Sequence, residues 1–288
     1  MLFRSWAFKA LGQILKEKAL DPFYKVVASE ENSEENRLYA LSGIKQVGSK
    51  QAIPYLIKCL SLDLWSIRAQ ASHALSEFKE EVIEDLFSGL ESKDSTTRYW
   101  SLKTLSDVVT EKNLDQLMGF LKSGDQELRF HTINALAKIG SYKSIEILCE
   151  CFNDDAWLLR KHAADSMIPL GEIVIKPLME RLNKHKEDED TIFWSLQVLS
   201  SLKMEPVLPS LYQFLESDLK DYRLFAVRAI GQVQCESAIH LLISGFANEF
   251  WIVRMECFKE LQKYKDVSPY LLALSYVFRS EEHTSELQ

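Results

Sequence analysis

The chain has 288 residues, 47% of them apolar and 26% charged, and carries a net charge of −8. Ten glycines and seven prolines leave little turn chemistry for an all-β fold, and no apolar run reaches the roughly 18 residues that a membrane helix needs. The acidic balance and the lack of a basic block argue against a nucleic-acid partner, whose phosphates must be neutralised by Lys and Arg.

In chain order, the first element is a partial amphipathic helix with Ala7, Ala10, Leu11 and Ile14 on one face. The same spacing then returns behind an arginine: a small residue three later, a small residue six later, an aliphatic seven later and an apolar residue ten later. It reads Arg37-Ala40-Gly43-Ile44-Val47, then Arg68-Ala71-Ala74-Leu75-Phe78, Arg98-Ser101-Thr104-Leu105-Val108 and Arg129-Thr132-Ala135-Leu136-Ile139. It continues as Arg160-Ala163-Ser166-Met167-Leu170, weakens at Ile192-Ser195-Val198-Leu199-Leu202, and resumes at Arg223-Ala226-Ala229-Ile230-Val233 and Arg254-Cys257-Glu260-Leu261-Tyr264. The step from copy to copy is nearly constant, and self-similarity at a fixed period marks a stacked repeat fold.

Offsets three, seven and ten share one helical face, so each copy is an amphipathic helix. A second apolar segment precedes each copy, as in residues 52–60, 82–90, 114–121 and 145–152. The unit is therefore helix, turn, helix. Pro54, Pro177 and Pro209 fall near the start of the first helix, where a missing N–H is tolerated. Asp63, Asp94, Asp125 and Asp155 occupy the turn ahead of the arginine helix. The predicted fold class is all-α: an α-solenoid of about nine hairpin repeats with a period of about 31 residues.

These residues resemble the short bacterial HEAT-like repeat: an Asp-containing turn, then V-R-x-x-A-x-x-A-L-x-x-I-G. Ile67-Arg68, Val253-Arg254 and the Gly48, Gly140 and Gly171 endings carry the match. The resemblance covers nearly all of residues 6–278, read as one continuous array. It implies a structural ladder built from Arg37, Arg68, Arg98, Arg129, Arg160, Arg223 and Arg254 with the turn carboxylates. An irregularity is expected near 184–195, where Ile192 replaces the ladder arginine and the turn Lys184 to Asp190 is long and highly charged. The termini are set apart. Residues 279–288, RSEEHTSELQ, are similar to a translated short-read sequencing adapter, and Leu2 to Ser5 resemble the opposite adapter, so 1–5 and 279–288 are expected to be adapter-derived.

No catalytic constellation is present. HExxH, GxSxG, P-loop and GxGxxG motifs are absent. None of the six histidines precedes a glutamate, so the His-Glu ligand pairs of the HEAT-repeat enzyme deoxyhypusine hydroxylase are missing. Cys59, Cys149, Cys151, Cys235 and Cys257 include no CxxC pair and read as small buried hydrophobes of a reducing compartment. No cofactor, no metal and a cytoplasmic location are expected.

On the second helix, offset two reads Trp6, Tyr39, Gln70, Trp100, His131, His162, Trp194, Phe225, Glu256. Offset five includes Lys103, Asn134 and Asp165. Two readings stand side by side: a peptide-binding groove of aromatic and polar side chains, or a core margin where large residues seal adjacent repeats. The groove reading places the binding surface on the concave face of the solenoid, at Trp100, Lys103, His131, Asn134, His162, Asp165 and Trp194. Together with the resemblance it points to a non-enzymatic scaffold for a protein or peptide ligand. The repeat type is also that of phycobilin lyase subunits, so the alternative it implies is a lyase-like subunit or tetrapyrrole chaperone.

Overall fold

The structure, a computed structural model, describes residues 2–184 and 188–264, with side chains from Ser5 onward. The adapter-like segment 279–288, the end of the chain beyond the last repeat copy and residues 185–187 of the irregular turn lie outside the described residues. At the other end, Leu2 to Ser5 open the first helix.

Among the described residues the chain is helical with no strand. It forms two compact units, residues 1–144 and 145–288. The first holds α1 (Leu2–Leu15), α2 (Leu20–Ala28), α3 (Glu34–Val47), α4 (Ile53–Cys59), α5 (Trp65–Ser76), α6 (Ile83–Leu90), α7 (Ser95–Val108), α8 (Leu114–Leu121) and α9 (Gln126–Ile139). The division falls inside α10 (Tyr142–Glu150). The second unit continues with α11 (Trp157–Met167), α12 (Ile175–Lys184), α13 (Glu189–Leu202), α14 (Leu208–Tyr212), α15 (Lys220–Val233), α16 (Glu236–Ser244) and α17 (Trp251–Leu261). The odd-numbered helices from α3 onward carry the repeated pattern, and within each unit consecutive ones pack together: α3, α5, α7 and α9 in the first, α11, α13, α15 and α17 in the second. This is the all-α solenoid that the period predicts.

Local chemistry explains the hairpins. Ser33, Asp94, Asp125 and Asp188 accept backbone N–H bonds at the starts of α3, α7, α9 and α13, satisfying donors that a helix leaves orphaned. At offset eleven the chain turns left-handed: Gly48, Lys79, Gly140, Gly171, Lys203 and Gln234 all have φ between 51° and 68°. At Gly48, Gly140, Lys203 and Gln234 that single reversed residue is the C-cap of the helix and sends the chain into the next first helix. Val109 breaks the column with φ −62°, and there Thr110 and Asn113 form a capping box instead.

The small residues at offsets three and six allow close approach. A Cβ on Gly43 would stand 2.6 Å from the Phe23 ring and 3.0 Å from the Phe8 carbonyl. Where the small residue is polar, its hydroxyl can pair across the seam: buried Thr104 makes 2.7 Å bonds to the Trp100 carbonyl and to Ser72 of the preceding second helix. The core of each unit joins the aliphatic set at offsets four and seven, including Leu41, Ile44, Leu75, Leu102, Leu105 and Leu136, and in the second unit Met167, Leu199 and Ile230, to first-helix residues such as Leu56, Leu86, Leu117, Leu178 and Leu211.

The arginine column makes definite contacts. Arg37 is 3% exposed; its Nε donates to the Val27 carbonyl at 2.7 Å and its Nη2 reaches Asp63 at 3.1 Å. Arg98 donates to the Ser92 and Lys93 carbonyls, and Arg254 to those of Asn248 and Glu249. Arg160 pairs with Asp190 at 2.7 Å, and Arg223 with Glu249 at 2.8 Å and with the Ser217 carbonyl. Asp94 and Asp125, grouped with Asp63 in the sequence, spend their oxygens on helix capping.

Candidate functional site

The second helices carry the residues singled out for binding, and the two tryptophans correct the groove reading. Trp100 is 3% exposed and Trp194 is 4% exposed, so neither indole faces a ligand. Offset two lies at the edge of the seam between consecutive second helices, and a side chain as large as Trp is driven into that seam by the apolar area it removes from water. The sealing reading holds at these two positions.

What covers each seal is an aromatic residue that the repeat pattern does not include. In the first unit the Trp100 ring lies 6.1 Å from that of Trp65, edge to face, and 5.7 Å from Tyr99. Tyr99 lies 5.1 Å from His131, whose neighbour is Phe130. In the second unit Trp194 lies 6.1 Å from Trp157 and 5.0 Å from Phe193, and Phe193 lies 6.3 Å from Phe225. The two clusters match offset for offset: a tryptophan three before the ladder position, then offset two, then offset one, then offset two of the following repeat.

Their outer members are open to solvent. Trp65 is 65% exposed and Trp157 53%, with Phe130 and Phe193 also exposed. Trp251 holds the same place before Arg254 and is exposed as well. The signal is present in the sequence, since Trp65, Trp157 and Trp251 recur at three-repeat spacing. The amphipathic stripe that reveals the repeat does not extend to a helix's first residue, so it passes over them.

Of the polar candidates, Lys103 and His131 contact the first cluster. The Lys103 ammonium sits 4.6 Å from the Trp100 ring centre, which holds its stem along the seam. His131 is half-buried, and burial lowers its pKa, so the ring is neutral at pH 7. Asn134 is half-buried on the same helix. In the second unit His162 is half-buried, and Asp165 is exposed and pairs with Lys161 at 3.2 Å. No group of three His, Cys, Asp or Glu side chains among the described residues is placed to hold a metal ion.

The repeat register, the reversed residue at offset eleven and the packed second helices agree with the comparison to known families. HEAT repeats match residues 23–106 and 83–168, together just over half of the chain. The chain belongs to the HEAT-repeat family. Among solved structures, this HEAT-repeat chain is similar to the karyopherin Kap121p bound to the extreme C-terminus of the protein phosphatase Cdc14p. The identity is 10%, with 89% of this chain and 35% of that one covered, at a TM-score of 0.51. It thus spans about a third of that karyopherin. It is also similar to human deoxyhypusine hydroxylase, at 17% identity over 89% of this chain and 99% of that chain, with a TM-score of 0.38. No curated relative matches the chain. These likenesses concern the fold. Among the described residues no helix is long and apolar enough to cross a membrane.

Proposed function

We propose that this HEAT-repeat protein is a non-enzymatic scaffold that holds a protein or peptide against the starts and outer faces of its second helices. The observation that carries the reading is the duplicated aromatic cluster. Each cluster pairs a buried indole with an exposed one, and in the first unit Lys103 and His131 contact it; Asn134 lies on the helix of His131, and His162 and Asp165 on the helix of Trp157. Exposed aromatics anchored on a rigid, sealed base supply binding area at low entropic cost, and the polar neighbours set register. Kap121p, which shares the fold, is bound to a chain terminus, a mode that suits such anchors.

A displayed random-peptide library selected on the intact chain tests the proposal. Selected peptides should lose about tenfold or more in affinity on Trp65→Ser/Phe130→Ser or on Trp157→Ser/Phe193→Ser, as expected for hot-spot aromatics. Peptides that bind both variants as tightly as the parent chain place the binding surface elsewhere and refute it.

A further inference from the structure

The arginine column has one gap, and the structure holds a cavity there. In the second repeat the guanidinium of Arg37 is held by the carbonyl of Val27, in the preceding first helix, and by the carboxylate of Asp63, in the next repeat's turn. Arg223 reaches the carboxylate at the equivalent position of its own next repeat, Glu249, and its guanidinium lies 4.9 Å from the ring of the following residue, Phe250. At Ile192 the positions equivalent to Val27, to the carboxylate and to Phe250 are Leu182, Asp218 and Leu219. All three line a cavity of about 380 Å³, and Ile192 forms part of its wall.

The cavity keeps the carboxylate of Asp218, and none of its lining residues is a cation. Asp218 has no ion-pair or hydrogen-bond partner among the described residues. Leu182 lies in the last turn of α12, where carbonyls have no intrahelical donor and the helix dipole favours positive charge. Phe214 and Tyr222 also line it, with Glu216 as a second carboxylate, and aromatic rings offer faces on which a planar guanidinium and its alkyl stem can stack. The surroundings are acidic: Asp188, Glu189 and Asp221 together help raise the Tyr222 phenol above its ordinary value, behind burial as the main cause.

We infer that this cavity is a socket for a guanidinium supplied from outside the chain, namely an arginine side chain of a bound peptide or protein. A lysine fits less well, because its ammonium is more strongly hydrated and lacks the planar fork that stacks on an aromatic face. The socket uses none of the aromatic-cluster residues, so it stands or falls separately from the scaffold surface proposed above.

The test is a titration of the ¹⁵N-labelled full chain with Nα-acetyl-arginine methylamide. Saturable shifts are expected at the amides of residues 182–183 and 217–222. They should be weaker with the lysine analogue and lost with the citrulline analogue, which keeps the shape but not the charge. Asp218→Asn, a change on an exposed turn, should weaken binding about tenfold or more, the loss expected for one charge-assisted hydrogen bond. Ile192→Arg should fill the socket from within, abolish the titration and raise the Tm by a few degrees. If citrulline binds like arginine, if Asp218→Asn changes nothing, or if arginine gives no saturable shift at tens of millimolar, the proposal is overturned. Continued binding to folded Ile192→Arg overturns it too, and should that variant fail to fold, Asp218→Asn decides alone.

Discussion

The guanidinium of Arg37 meets the carboxylate of Asp63 at 3.1 Å, tying one hairpin to the turn of the next. The two partners contribute unequally. Arg37 is buried and also serves the Val27 carbonyl, whereas the Asp63 side chain is mostly exposed. Arg37→Met keeps the stem packing but strands that buried carbonyl, which should cost about 2 kcal/mol in chemical denaturation. Arg68→Met should cost less, because the Arg68 Nε is already buried without a partner. Equal losses at the two sites would show that the stem, not the hydrogen bonds, matters. The hydrogen bond from Arg37 lowers the Asp63 pKa, so its contribution is present at neutral pH and is lost as pH falls through that lowered value.

The left-handed column offers a second measurement. Lys203 and Gln234 hold the conformation that Gly48 and Gly140 hold elsewhere, and an L side chain there is strained. Lys203→Gly and Gln234→Gly should each stabilise the chain by about 0.5–1 kcal/mol, and Gly48→Ala should destabilise it by about 1 kcal/mol. Val109→Gly, at the position of the column with negative φ, should destabilise, since it adds only backbone freedom to the unfolded state.

The repeat, its period, the two-helix unit and the packing faces were legible because burial in a solenoid is periodic, and small residues such as Gly43 mark close approach directly. The site was less legible. Helical geometry places offset two outside the stripe of offsets four and seven, yet Trp100 and Trp194 are pulled into the seam, since residues at the stripe's margin go where their apolar area is best covered. The exposed partners Trp65 and Trp157 sit where the chain enters the helix, outside any amphipathic pattern. The division within α10 has no counterpart in the repeat spacing, which is as regular across Ser144 as before it.

Cysteine reactivity checks the burial pattern. Burial pushes the Cys59, Cys149 and Cys257 thiols up to about 12, leaving almost no thiolate at pH 8. Cys235 is the one half-exposed cysteine of the five. A disulfide-exchange reagent at pH 8 should therefore modify one thiol quickly in the native chain, and the Cys235→Ser variant should lose that fast phase. Rapid modification of two or more would contradict the packing of α4, α10 and α17.

His131 should make stability depend on pH near neutrality. Burial lowers its pKa in the folded chain, so the unfolded state binds its proton more readily. Its contribution is complete above the unfolded value of about 6.5 and is lost as pH falls from there to the folded value. Denaturation midpoints at pH 7.5 and 5.5 should differ more for the parent chain than for His131→Phe. An identical difference would mean that the imidazole is freely solvated.

The sharpest contrast lies within each tryptophan pair. Trp100 and Trp194 are sealed in the seams, so replacing either with Ala removes a full indole from a packed interior and leaves a cavity. The expected cost is about 3–5 kcal/mol, with a clear fall in Tm. Trp65 and Trp157 touch the same seals but leave more than half of their surface in water, so Trp65→Ala and Trp157→Ala should each cost less than about 1 kcal/mol. The functional consequences should run the other way. Changes at Trp65 and Trp157 should weaken peptide binding in a chain that stays folded, whereas those at Trp100 and Trp194 should weaken it only in proportion to the unfolded fraction. Circular dichroism melts paired with peptide affinities on the four single variants separate these effects. If Trp65→Ala melts as low as Trp100→Ala, the outer indoles are structural too, and the exposed clusters lose their claim to be the binding surface.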